Sequence, residues 1–101
     1  MGTPKYAAGR RVASVGTGRL ITVTTGAAQR ITATSGTFMV MIQNNGPAPM
    51  AIGDSAMLMG SGDVVFPYAN RQYEDVADGF NLWLRADSAA TVVAWLDHYP
   101  E

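Results

Sequence analysis

The amino-acid sequence predicts one all-β domain, an antiparallel β-sandwich of jelly-roll-like type with about eight to ten short strands. Segments rich in valine, isoleucine, threonine and aromatic residues recur along the chain, and clusters of glycine, asparagine, aspartate and proline separate them. No helical period of 3.6 residues organises the apolar positions. A chain of 101 residues that is 48% hydrophobic has a common domain size and enough apolar mass for one core.

The spacing of the turn residues divides the chain into candidate strands. Their predicted ranges are 10–15, 19–24, 28–34, 37–43, 49–52, 56–59, 63–68, 71–76, 80–86 and 90–97. The alanine-rich segment 88–97 could compete as a helix, but its Thr91-Val92-Val93 run disfavours helix through lost side-chain freedom. We expect residues 1–9 to form an N-terminal arm and residues 10–101 to form the sandwich domain.

Charge is divided unevenly along the chain. Five basic residues and no acid precede Asp54, whereas eight acids and two arginines occur from Asp54 onward. A nucleic-acid groove interleaves basic residues with aromatics, yet only Tyr6 and Phe38 supply aromatic rings in the basic half. We therefore expect no nucleic-acid partner. The division suits contact between copies of the chain, or contact of the basic start with an acidic scaffold; alternatively, folding intermixes the two halves.

The residue types that catalysis, metal binding or cofactor binding would require are scarce. The absence of cysteine excludes disulfide frameworks and thiolate sites, and no apolar run approaches the ~20 residues that span a membrane. The one histidine, His98, is interpreted as a surface residue, and no G-x-S-x-G motif is present. Gly16-Thr17-Gly18 lacks the third glycine of a dinucleotide site and is interpreted as a hairpin turn. We expect no enzyme activity, no catalytic residues, no cofactor and no metal.

Strict alternation assigns two faces to three of the strands. The residues assigned to the core faces are Phe38, Val40, Ile42, Phe80, Leu82, Leu84, Val92, Ala94 and Leu96. The opposite faces carry large apolar side chains where a solvated sheet would present polar ones. These side chains are Met39, Met41, Trp83, Val93 and Trp95.

Only one face of each sheet can point into the core of a two-layer fold. The surplus apolar residues therefore predict a covering surface from another chain, and we expect a homo-oligomer, most simply a trimer. A strand covered on both sides within the chain is the alternative. The candidate interface residues are Met39, Met41, Trp83 and Trp95, together with the basic residues Lys5, Arg10 and Arg11.

A succession of motifs covers the chain from about Phe38 to His98. They are an alternating strand that ends in Gln43-Asn44-Asn45, then Pro49-Met50-Ala51-Ile52-Gly53-Asp54, Gly62-Asp63-Val64-Val65-Phe66-Pro67, the strand 80–86 and the apolar strand 91–96. This layout resembles that of small β-sandwich virion proteins of tailed bacteriophages. Members of that family decorate or cement capsids, or form the bases of head fibres and spikes, usually as trimers. The resemblance implies a non-enzymatic virion protein at the capsid surface that contacts the major capsid protein or another virion component.

A carbohydrate- or receptor-binding module is the alternative function. Segment 67–73 combines aromatic rings with polar loop residues, and Tyr68, Asn70 and Tyr73 are its candidate glycan-binding residues. Trp83 and Trp95 offer further stacking platforms. Tyrosine and asparagine are also ordinary turn residues, so this composition alone does not decide between a sugar site and a turn.

Overall fold

The computed structural model describes residues 11–55 and 62–101 and shows the predicted all-β sandwich, with two antiparallel sheets packed together. The strands of the described residues are β1 (Val12–Val15), β2 (Arg19–Val23), β3 (Gln29–Thr32), β4 (Met39–Asn44), β5 (Met50–Gly53), β6 (Asp63–Val65), β7 (Asn70–Tyr73), β8 (Asn81–Ala86) and β9 (Thr91–Pro100). The larger sheet contains β1, β2, β9, β4 and β7, and the smaller sheet runs β3-β8-β5-β6.

Strands β1 and β2 behave as one interrupted strand, because both pair antiparallel with β9. With these two counted together, the first strand pairs with the last, β3 with β8, β4 with β7 and β5 with β6. The further pairings of β4 with β9 and β5 with β8 complete two sheets of four columns each. Such nested pairing is a long hairpin rolled into two sheets, which is the wiring of a jelly roll.

The hairpin turn predicted at Gly16-Thr17-Gly18 is wrong. The chain does not reverse there, because the Gly16 N–H donates to the Asp97 carbonyl at 2.8 Å and β2 resumes beside β9 with a shifted register. A Cβ atom on Gly16 would lie 3.2 Å from the Tyr99 ring, so glycine permits this close approach. The segment is therefore a bulge within one long strand.

The other strands lie close to their predicted ranges, with differences at the ends. The strand predicted at 63–68 ends at Val65, because residues 66–69 form the turn into β7. The last strand continues beyond residue 97 to Pro100, because β1 and β4 pair along it on both sides. The candidate strand at 56–59 and the arm 1–9 lie outside the described residues.

The core lies between the sheets and confirms the faces assigned to β4 and β8. Val40, Ile42 and Leu84 are fully buried, whereas their strand neighbours on the opposite face are partly exposed. The assignment for β9 is wrong, since Val93 and Trp95 are 0% exposed. Asp97, which shares their face, is also buried, and its carboxylate is hydrogen-bonded. Trp95 is therefore a core residue and not an interface residue.

Candidate protein-interaction surface

The outer face of the larger sheet is formed by residues that pair across neighbouring strands and so share one side of the sheet. In one row, for example, Ala94 lies between Leu20 and Gln43. We call this surface the neutral face, because its paired residues include no aspartate, glutamate, lysine or arginine; the exposed Glu74, which follows β7, lies at its edge and accepts from Gln72 Nε2 at 2.9 Å. Its members are Val15, Leu20, Thr22, Met39, Met41, Gln43, Asn70, Gln72, Val92, Ala94, Leu96 and His98.

Part of the neutral face has the composition of an interface. Leu20 is 75% exposed and Val15 is 52% exposed, and both are aliphatic. Met39, Met41 and Leu96 lie on β4 and β9, between these two residues and β7, and are partly exposed. A sheet face in contact with water normally carries polar side chains, whereas the centre of a protein interface is poor in charge and enriched in methionine. The part of the face from Leu20 and Val15 to Met39 and Met41 therefore has the composition of an interface, whereas the β7 margin carries exposed polar side chains.

The outer face of the smaller sheet is different. It carries two arginines, and the Arg30 guanidinium carbon lies 5.8 Å from the centre of the Trp83 ring. Arg85 donates from Nε to the Thr25 carbonyl at 3.2 Å. The partly buried Trp83 is thus covered by a cation of its own chain, so its apolar surface is explained within the monomer.

The structure separates the predicted interface residues. Met39 and Met41 lie together on the neutral face, whereas Trp83 lies on the other sheet. Arg11 is exposed and its Nε donates to Glu101 at 2.8 Å, beside β1. Lys5 and Arg10 lie outside the described residues.

The sequence interpretation missed Leu20, the most exposed apolar residue of the neutral face. The signal was available in strand β2, where alternation places Arg19, Ile21 and Val23 on one side and Leu20 on the other. His98 was expected at the surface but is only 7% exposed, because β9 is flanked by β1 and β4 at that position.

A second apolar feature lies at one end of the sandwich, in the turn between β6 and β7. Phe66 is 64% exposed and Tyr68 is 75% exposed, and we call this pair the aromatic tip. Tyr68 has a φ of 68°, a left-handed conformation that costs an L-residue about 1–2 kcal/mol. A large residue is rarely found in this conformation, and Tyr68 gains little burial in return.

Hydrogen bonds from Asn44 anchor the turn that carries the aromatic tip. Its side chain is fully buried and donates to the carbonyls of Ala48 and Val65 at 2.8 and 2.9 Å. Its Oδ1 accepts from the Gly46 N–H at 2.8 Å and from the Thr91 hydroxyl at 2.7 Å. The Asn44 backbone also accepts from the Tyr68 N–H and donates to the Ala69 carbonyl. One side chain therefore ties the loop 45–49 to the end of β6 and the start of β9.

The three candidate glycan-binding residues do not form one site. Tyr73 packs against the core, and its ring centre lies 5.5 Å from that of Phe80. Burial raises the pKa of Tyr73, and the nearby Asp63 charge adds to this effect. Asn70 is exposed on the neutral face, three residues and about 10 Å from Tyr73 along the strand. Tyr68 and Asn70 are therefore accessible near the loop end, whereas Tyr73 is not part of the same surface.

A buried carboxylate cluster lies at the opposite end of the sandwich. Asp97 accepts from the Trp95 indole at 2.7 Å, from the Thr34 hydroxyl at 2.6 Å and from Arg19 at 3.2 Å. Burial alone would raise the pKa of Asp97, but the hydrogen bonds from Thr34 and Trp95 and the charge of Arg19 outweigh it and hold the pKa below its ordinary value. The carboxylate is engaged by groups that join the two sheets, so we assign it a structural role.

This cluster should make folding stability depend on pH. The contribution of Asp97 to the free energy of unfolding is complete above the unfolded-state pKa of about 3.9. It is lost as pH falls through the lower folded-state pKa. We expect the free energy of unfolding, measured by urea titration between about pH 6 and pH 2, to fall more steeply for the wild type than for Asp97→Asn. Asp63→Asn is the control, because its exposed pair with Arg71 is weakened by solvent. Equal slopes for the wild type and Asp97→Asn would contradict the assignment.

Comparison with known proteins finds no protein family that matches the chain and no curated protein that matches it. The resemblance to phage virion proteins therefore rests on the motifs quoted for it. Within residues 11–55 and 62–101, no group of three or more histidine or acidic side chains is arranged to hold a metal ion. The same part of the chain contains no helix that could span a membrane.

Proposed function

We propose that the protein is a non-enzymatic structural subunit that assembles with copies of itself through the neutral face. The specific role we propose is a phage virion protein that decorates or cements the capsid, or forms the base of a fibre or spike. The observation that carries the proposal is the neutral face itself, in which seven of the twelve paired residues are apolar and none carries a formal charge. Jelly rolls serve in viral capsids and in lectins, so the fold alone does not decide the role.

The neutral face supplies most of the area that self-association needs. Its twelve residues lie on four strand columns and in four rows of paired residues. With strands ~4.8 Å apart and same-face residues ~6.8 Å apart, these residues cover about 390 Å². Covering them from a second chain would bury about 800 Å² in total, so an interface of about 1,000 Å² needs a further contribution from beside the face. The paired residues carry no formal charge, so two copies meet without like-charge repulsion except at Glu74 on the edge.

An acidic residue placed on the neutral face should weaken assembly more than folding. Met41→Asp would put an unpaired charge into the interface, so we expect a dissociation constant raised about tenfold or more. A matched pair isolates the surface: Thr22 and Thr32 are both exposed, and they lie on the outer faces of the two sheets. In sedimentation velocity, Thr22→Asp should dissociate the oligomer and Thr32→Asp should not. Equal behaviour of the two threonine variants would contradict the proposed interface.

The virion role has a separate test. Particles purified from the virus that encodes the protein are separated on a density gradient, and the fractions are probed with an antibody. We expect the protein in the particle fraction, at a stoichiometry tied to the capsid subunits. Protein found entirely in the unsedimented fraction would contradict the virion role. Self-association would be unaffected by that result, because the threonine variants test it independently.

A further inference from the structure

The aromatic tip is not explained by folding. Phe66 and Tyr68 are more than half exposed, so neither contributes much to the core. The backbone at Tyr68 is left-handed, where glycine or asparagine would be accommodated more easily. An exposed aromatic residue that carries a conformational cost and gains little packing is a candidate for contact outside its own chain.

The surroundings of the tip indicate what it contacts. The four loops at this end, residues 24–28, 45–49, 66–69 and 87–90, are all described by the structure, and Asp87 is the single formal charge among them. Both rings are exposed, and the Tyr68 ring lies over Gly46 of the neighbouring loop, where a Cβ atom would be 3.8 Å from it. An exposed aromatic pair without formal charge fits an uncharged apolar surface, and methionine side chains adapt well to aromatic rings.

The neutral face offers such a surface in the right place. The aromatic tip precedes β7, at one margin of the larger sheet, whereas Leu20 lies on β2 at the other margin. The two margins are three strand spacings apart, about 14 Å. A copy of the chain therefore presents an exposed aromatic pair at one margin and an exposed apolar acceptor at the other.

We propose that the aromatic tip of one copy docks on the neutral face of the next, beside Leu20 and Met41. This inference rests on the proposed self-association and specifies its geometry. The two contacting surfaces differ and lie at opposite margins of the larger sheet. A two-fold pair makes this contact twice, with the tip of each copy on the face of the other, and a closed ring of three or more copies makes it once for each copy.

A mixing experiment separates tip docking from assembly through the neutral face alone. The tip variant is Phe66→Ser with Tyr68→Asn, in which asparagine tolerates the left-handed backbone. The face variant is Leu20→Asp with Met41→Asp. We expect each variant alone to sediment as a folded monomer of 10.7 kDa, with circular dichroism and thermal unfolding as the check on folding.

Mixed in equal amounts, the two variants should form a species of twice the monomer mass and no larger one. The face variant supplies an intact tip, and the tip variant supplies an intact neutral face, so one interface is restored. A tip variant that keeps the wild-type mass would overturn tip docking and leave self-association standing. Two monomeric variants that fail to pair on mixing would also overturn it. A wild-type protein that is monomeric would overturn both this inference and the proposed function.

Discussion

Replacing Asn44 by alanine should lower the free energy of unfolding by about 3–5 kcal/mol, because it leaves several buried hydrogen-bonding groups without partners. The side chain is 0% exposed and satisfies two carbonyls, one N–H and one hydroxyl. A loss of this size is a large fraction of the stability of a small domain. Urea denaturation followed by tryptophan fluorescence measures it.

The neighbouring Asn45 is the matched control. Its side chain is exposed, so Asn45→Ala should change the free energy of unfolding by no more than about 0.5 kcal/mol. A similar loss for both variants would show that the loop end is sensitive to any change and that Asn44 holds no special position. A negligible loss for Asn44→Ala would contradict the role assigned to its hydrogen bonds.

The two tryptophans should respond very differently to truncation. Trp95→Ala should lower the free energy of unfolding by about 3–5 kcal/mol, because it opens a cavity between the sheets and removes a hydrogen-bond donor from Asp97. Trp83→Ala should cost about 1 kcal/mol, since Trp83 is partly exposed on the outer face. Equal losses of stability would contradict the orientation of β9.

Alternation within single strands predicted much of the fold. For β4 and β8 one set of alternate residues is uniformly apolar, so the core face could be assigned from the sequence. In β9 both alternate sets contain apolar residues, and the polar residues Thr91 and Asp97 lie in the set that proves to be buried. The physical reason is that the hydrogen-bonding partners of Asp97, Thr34 and Arg19, are distant in the chain and come together only in the sandwich.

The candidate surface was only partly predictable for the same reason. Met39 and Met41 were found because they alternate with core residues of one strand. Their proximity to Leu20 depends on β9, which lies between β4 and β2 and brings residues about twenty positions apart onto one face. The absence of charge from that face is likewise a property of the pairing, since arginine and acidic residues occur close by in the sequence.

The mass of the wild-type protein in solution tests the central claim most directly. Sedimentation equilibrium over a range of micromolar concentrations gives this mass without reference to molecular shape. Self-association through the neutral face predicts a stable multiple of the 10.7 kDa chain. A single species of 10.7 kDa at every concentration would contradict the account.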